Sequence, residues 1–476
     1  MSALWVIAGV AAVAGFVVAS LRFPGAVLAL LLVLFPLHTL GLAAISHGLL
    51  PVTRGGGPPL RVIYATDATL LTALALVAIV AGRRSLLGER HRRLRRFLVV
   101  YLLLAAIMGV TSPTTEAAGW GFMLMAAGPV ILLAVLAVGP SRRVVRVAIA
   151  GLLVTAGAVA AVGLVEQHLG ATLPAWLGVG TPDLDGAFYA AHGTGYRSGS
   201  ALGSPLWLGF YLAAAMPLAI GVACAVRRWG RLAVAALALI VVAALTVTGT
   251  RAGYAGAAAG GVLAALLATR SRMGRALVAA AVVATGAAIV AVGYANHVQQ
   301  VVHSGADNAA HLATVKSDLD LIAQRPLGYG LGATDVIGQS FDTSSLPQGL
   351  ATEDVYLSRG LQGGVPGIVL YLLSLMVLSV ALLDAWAECR RAGDLEAAGL
   401  AAAALGVLLA ASVAGLFLGI EDLAYLVLVW GSAGLALAVA PAVPVPRRAA
   451  VGRTTMLGGR LLDQRPAIAS SRIARR

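Results

Sequence analysis

Residues 227–275 read RRWGRLAVAALALIVVAALTVTGTRAGYAGAAAGGVLAALLATRSRMGR. Two apolar runs in this stretch, 232–249 and 252–269, contain no Asp, Glu, Lys or Arg. Each is about as long as a helix that crosses the hydrocarbon core of a bilayer. Arginines close both outer ends, at 227–231 and 270–275, whereas the inner ends are joined only by Thr250-Arg251. So short a connection demands an antiparallel helical hairpin and leaves Arg251 at the membrane boundary between two helices. The Ala and Gly residues of 252–268 suit close helix packing through small side chains.

The same pattern extends along the chain. Of its 476 residues, 59% are hydrophobic and 11% charged, and the mean hydropathy is +0.91, outside the range of water-soluble domains. Eleven further apolar runs lie at 3–20, 25–43, 65–82, 97–112, 119–138, 147–165, 205–226, 276–293, 364–383, 397–417 and 423–440, making thirteen. The number is twelve if the first pair, separated only by SLRFPG (20–25), counts once. This recurrence excludes a soluble domain behind one signal anchor, and weak alternation argues against a barrel. The sequence predicts an all-α polytopic membrane protein with about 12–13 transmembrane helices. A single membrane domain covers 1–446, followed by a basic, disordered cytoplasmic tail at 447–476.

A net charge of +14 and a pI near 10.6 would point to nucleic acid in a soluble protein. Here RRSLLGERHRRLRR (83–96), SRRVVR (141–146), the two clusters quoted above and the tail all fall on one side of the predicted membrane. By the positive-inside rule that side is the cytoplasm. The charge is thus a topology signal, the polyanion at hand is the membrane lipid, and no nucleic acid is implied. Cys224 and Cys389 fall near the inner face, so no disulfide staples the outer loops. His168, His192, His297, His303 and His311, on the outer side, lack metal-ligand spacing. Neither a metal nor another cofactor is expected.

Three connections, 46–64, 166–204 and 294–363, are long, and all three are external, where function is expected. The last contains NAAHLATVKSDLDLIAQ (308–324), in which Leu312, Val315, Leu319 and Ile322 recur at helical spacing before Pro326 ends the run. Such a helix would lie on the membrane surface or cap a cavity. RPLGYGLGATD (325–335), opening on Arg325, has the glycine punctuation of a phosphate cradle but lacks the strand that such a cradle follows.

Three outer features carry candidate chemistry. Arg197 lies in GYRSGSALGSP (195–205), a turn that feeds a span; Arg251 sits in the hairpin; Glu353, Asp354, Tyr356 and Arg359 precede the span beginning near Gly364. Arginine is scarce outside, and a planar guanidinium can grip a lipid-linked phosphate with two bonds. The alternative is snorkelling to headgroups or pairing with a loop carboxylate. Glu353 and Asp354 are either functional acids or residues at a helix N-terminus, which the macrodipole favours. Glu421 and Asp422, in GIEDLAY (419–425), mark a short outer loop.

Taken in order, these features resemble the O-antigen ligase and polymerase superfamily of bacterial membrane glycosyltransferases, whose fold is of the GT-C type. The resemblance covers most of the chain. Its parts are the Arg-Ser-Gly turn (197–199, then Ser204-Pro205), the Thr-Arg-Ala-Gly hairpin (250–253), RPLGYGLG in the long loop, and the end of that loop. Those ligases typically carry His-Asn there, then nine residues, then Gly-x-x-Gly. This chain keeps the spacing from Asp354 to Gly364-Val365-Pro366-Gly367 but has Glu353 and Asp354 in place of His and Asn.

The resemblance implies transfer of a glycan from a polyprenyl-diphosphate carrier to the hydroxyl of a glycan or lipid-linked acceptor, at the outer face of the bacterial plasma membrane. Transfer would be inverting and metal-independent. Arg197 and Arg251 would bind the donor diphosphate and stabilise the charge of its departure, Glu353 would be the general base, and Asp354, Tyr356, Arg359 and Arg325 would support the site. A transporter or lipid-glycan flippase is the competing class, although such proteins place ionisable groups deep within their spans. A non-catalytic scaffold for envelope assembly is the third reading.

Overall fold

The computed structural model describes residues 14–37, 59–82, 92–170, 197–202, 204–226, 228–269, 305–334, 352, 354–417 and 423–440. All of them belong to one folded unit, Met1–Pro441. Among the described residues every regular element is helical: α1 (Ala14–Arg22), α2 (Pro24–Leu34), α3 (Pro59–Gly82), α4 (Arg92–Met108), α5 (Thr115–Val138), α6 (Arg142–Leu169), α7 (Pro205–Ala225), α8 (Arg228–Thr248), α9 (Arg251–Ala268), α10 (Gly305–Gln324), α11 (Val355–Arg391), α12 (Leu395–Ala414) and α13 (Leu423–Val439).

Eight of these, α4 to α9 with α11 and α12, are long and apolar enough to cross a membrane. The chain is an all-α polytopic membrane protein. The first pair of runs, as far as described, forms two pieces bent by 119° at the break before Pro24. The runs 65–82 and 423–440 are represented by shorter apolar helices, Asp67–Ala81 and Leu423–Val439. The run 276–293 and the tail 447–476 lie outside the described residues.

Local chemistry sets the helix ends. Thr114 and Asp394 cap α5 and α12 by accepting from Ala117 N (3.1 Å) and Ala397 N (3.2 Å), which satisfies backbone donors that have no intrahelical partner. The centre of the bundle is built from α7, α9 and α12, and backbone meets backbone there. A Cβ placed on Gly260 would lie 2.2 Å from the carbonyl oxygen of Gly406, and one on Gly406 would lie 2.5 Å from that of Gly260. The Ala/Gly composition of α9 is thus a packing requirement, because only small residues permit this approach.

The bundle has two chemically different ends. At one end, where α5, α7, α9 and α11 finish and α6, α8 and α12 begin, Arg146 holds Glu396 with two bonds (2.5 and 2.7 Å) and Arg142 pairs with Asp394. Cys224 and Cys389 lie at this arginine end as free thiols. The opposite end carries the Arg197 turn, the Arg251 hairpin and the start of α11.

Candidate functional site

The first half of the site is stitched together by a buried carboxylate that sequence reasoning missed. The apolar run ends at 165 and puts Glu166 at the start of an outer loop, but α6 continues to Leu169 and buries Glu166 completely. Its Oε2 accepts from the hydroxyl of Ser198 (2.7 Å) and from the backbone N–H of Ser200, while Oε1 accepts from Gly199 N (3.3 Å). Ser200 takes φ 52°, a left-handed conformation that a serine adopts only when its surroundings require it. The signal was present as an acid closing an apolar run, followed later by a turn rich in small donors.

This turn in turn fixes Arg197. Ser198 N donates to Val247 O (3.2 Å), Arg197 Nε to Thr248 O (2.7 Å) and Arg197 Nη2 to Thr250 Oγ1 (3.3 Å). The hydroxyl of Thr250 donates to Pro205 O (3.0 Å). Arg251, the next residue, begins α9 with an exposed side chain. Arg197 and Arg251 therefore occupy one corner, held by α6, α7 and the hairpin. Glu166→Ala should strand a hydroxyl and two N–H groups, at about 1–3 kcal/mol for each group left unsatisfied, and lower the thermal midpoint in detergent. If Glu166 acts through Arg197, Glu166→Gln should weaken donor binding in the native background and add little in an Arg197→Ala background. Additive losses would make it a stability residue only.

The second half surrounds the start of α11. Asp354 is its N-cap, with Oδ1 accepting from Tyr356 N (2.7 Å) and Leu357 N (3.1 Å). Burial pushes the Asp354 carboxyl above its ordinary pKa, opposed by the Leu357 and Tyr356 N–H bonds and by nearby His311. The Tyr356 hydroxyl donates to Ser412 O (2.8 Å), and its ring meets Tyr371 edge-on at 5.7 Å. Arg359 is buried, with its guanidinium over Tyr371 at 5.5 Å. Arg325 stays exposed, over the ring of Tyr329 at 4.8 Å. Glu353, Glu421, Asp422, His192, His297 and His303 lie outside the described residues.

The glycine loop is a clamp. Tyr329 N donates to Leu361 O (2.7 Å), Gly330 N to Gln362 O (3.0 Å) and Gly332 N to Oε1 of Gln362 (3.1 Å). Those N–H groups bind the protein's own acceptors, which removes the phosphate-cradle reading. Gln362 is the hub that sequence reasoning missed; its Nε2 donates to Thr334 Oγ1 (2.9 Å) and Ser358 Oγ (3.0 Å). Gly332 needs glycine twice, for φ 76° and because a Cβ would come 2.1 Å from Ala117 O. Two residues after Gln362, Gly364 (φ 64°, ψ −160°) breaks α11 into a short first piece and a long second one.

The helix expected at 308–324 is α10, and its apolar stripe divides between buried and exposed positions. Ile322 and Asp318 are buried and Val315 is partly buried, whereas Leu312 and Leu319 are 67% and 52% exposed. Packing decides this, because Ile322 seats against Gly360, where a Cβ would come within 2.5 Å of it. On the same inward side, His311 stacks on Phe417 (6.0 Å, 28°).

The two halves flank the end of α12. Gly256, five residues or about 7.5 Å along α9 from Arg251, packs so tightly on α12 that a Cβ would lie 2.7 Å from Ala410 O. Five residues beyond Ala410, Gly415 O accepts from Val355 N (2.9 Å). The Arg197–Arg251 corner and the α11 start thus share one end of the bundle. Among the described residues, no group of three or more His, Cys, Asp or Glu stands close enough together to hold a metal ion.

Residues 235–372 match the family model for O-antigen ligase. That stretch, less than a third of the chain, is what the similarity to O-antigen ligases covers. The matched stretch includes Arg251, α9, α10, the glycine clamp, Asp354, Tyr356 and Arg359; Glu166 and Arg197 come from outside it. Comparison with curated proteins gave no match. The similarity over 235–372 supports a membrane glycosyltransferase-type role in polysaccharide ligation and, with the apolar helices, a multi-pass place in the bacterial inner membrane.

Proposed function

We propose that the protein moves a glycan from a polyprenyl-diphosphate carrier to an acceptor hydroxyl at the outer face of the membrane, with inversion and without a metal. The observation that carries this reading is the convergence of Arg197 and Arg251 on one corner, built by bonds from Arg197 to Thr248 and Thr250. Fixed cations beside the carrier diphosphate stabilise the charge that grows as the bond between anomeric carbon and phosphate oxygen breaks. The acceptor oxygen then bonds to the anomeric carbon from the opposite face, and its proton passes to Glu353. Tyr356 and Arg359 brace the α11 start through Ser412 and Tyr371, and α10 caps the cavity.

The direct test is incubation of the purified protein with a polyprenyl-diphosphate glycan and resolution of the products by chain length. A ladder means polymerisation, a single transfer to a second molecule means ligation, and an untouched donor refutes the reading. Activity should survive EDTA. Loss that added Mg²⁺ restores would replace the metal-free mechanism.

Orientation has its own test. With Cys224 and Cys389 removed, single cysteines at positions 185, 305 and 345 should react with an impermeant thiol reagent from outside, and those at 90 and 230 should not, because the arginine-rich segments belong in the cytoplasm. Labelling at 90 with protection at 305 and 345 would put the donor corner on the wrong side of the membrane.

A further inference from the structure

At the arginine end a cavity of about 320 Å³ opens among the ends of α7, α8, α9, α11 and α12, lined by residues that include Cys224, Arg231, Thr269, Arg390, Leu395 and Gly399. Its size falls at the lower end of the range of small-ligand sites. Arg231 is anchored by its Nε–H to Ala223 O (3.1 Å) and by Nη2 to Val226 O (3.4 Å), across the connection between α7 and α8. Arg390 lies over the ring of Trp386 at 5.6 Å, and Trp386 Nε1 donates to Leu267 O (3.2 Å). Both guanidinium groups are therefore positioned, one by carbonyls and one by a ring.

Neither has a carboxylate within ion-pair distance among the described residues. The contrast is local, because Arg142 and Arg146 at the same end are matched by Asp394 and Glu396. Two cations lining one mostly apolar cavity repel each other, and an anion between them offsets that repulsion with charge-assisted bonds. We infer that this cavity binds an anionic phosphate group, that of a phospholipid headgroup or a free phosphate ion. A headgroup adds what a free ion lacks, a glycerol portion for the apolar wall, and basic pockets between helices on this side of a membrane are suited to such lipids. The site is separate from the donor corner and does not depend on the transfer reaction.

Cys224 reports on occupancy because it lines the cavity and is partly exposed, whereas Cys389 is buried. The full chain in neutral detergent is treated with N-ethylmaleimide in the presence of phosphatidylglycerol, phosphatidylcholine or inorganic phosphate. Phosphatidylglycerol should slow alkylation of Cys224 by about tenfold when present at about ten times its dissociation constant, and phosphatidylcholine should not. Equal protection by inorganic phosphate would assign the site to the free ion. Arg231→Gln with Arg390→Gln should abolish protection, whereas Arg143→Gln, at an exposed arginine outside the cavity lining, should preserve it. If the double variant does not fold, Arg231→Lys and Arg390→Lys keep the charge, lose the fork, and should weaken protection. Equal alkylation rates with all three additives, or protection that survives loss of both arginines, overturns the inference.

Discussion

Glu353→Gln should lower glycan transfer by about 10²–10⁴, the usual contribution of a positioned general base, while insertion and donor binding stay normal. The division of labour at the start of α11 motivates this. Asp354 is committed to capping, since one oxygen accepts from both Tyr356 N and Leu357 N. Asparagine caps about as well as aspartate, so Asp354→Asn should be mild. Glu353 precedes the cap and carries no such duty in the sequence. A free glutamate has a pKa of about 4.3, low for a base at neutral pH. Glu353→His should retain part of the activity, because the ligases that the chain resembles have histidine there. Initial rates with purified variants decide the matter. An active Glu353→Gln beside a dead Asp354→Asn moves the base by one residue, and two active variants reduce the pair to a helix N-terminus.

Arg251→Lys should fold and insert but lose about 10²–10³ in rate, the typical effect of removing one oriented donor to a developing anion. Lysine keeps the charge and loses the planar fork. The corner is rigid around this position: Thr250 is bonded to Pro205 and to Arg197, and Gly253 packs with a would-be Cβ 2.9 Å from Gly209 O. A point charge on a flexible stem cannot reproduce a fork presented from so fixed a backbone. Turnover measured at saturating donor separates the loss from a change in binding, and full activity would relegate Arg251 to headgroup contact.

The hairpin Arg228–Ala268 and the membrane class were legible because bilayer thickness acts on whole segments and survives any detail of packing. The pairing of the Arg197 turn with the Arg251 hairpin was legible only through the resemblance, since their contact joins positions some fifty residues apart. What could not be read were side-chain appointments made across elements. Glu166 looked like a loop acid because its partners lie beyond a long connection, and Gln362 looked unremarkable because its role depends on the glycine loop closing over it. How the apolar stripe of α10 divides was not legible for a related reason. Spacing shows that a stripe exists, but the gap left by Gly360 chooses which side fills it.

The Glu166 bonds also make the intervening connection interchangeable. One carboxylate in the last turn of α6 grips residues 198–200, so the chain leaves and re-enters the bundle within a side chain's reach of the same point. A loop closed at its base is insulated: changing its length alters closure entropy only logarithmically and leaves Arg197 where the α6 carboxylate puts it. Exchange of residues 171–196 should therefore leave the Glu166 and Arg197 bonds in place. Chimeras that swap this segment should fold with the same thermal midpoint as long as Glu166 and residues 197–200 are kept, whereas the same swaps in a Glu166→Ala background should not.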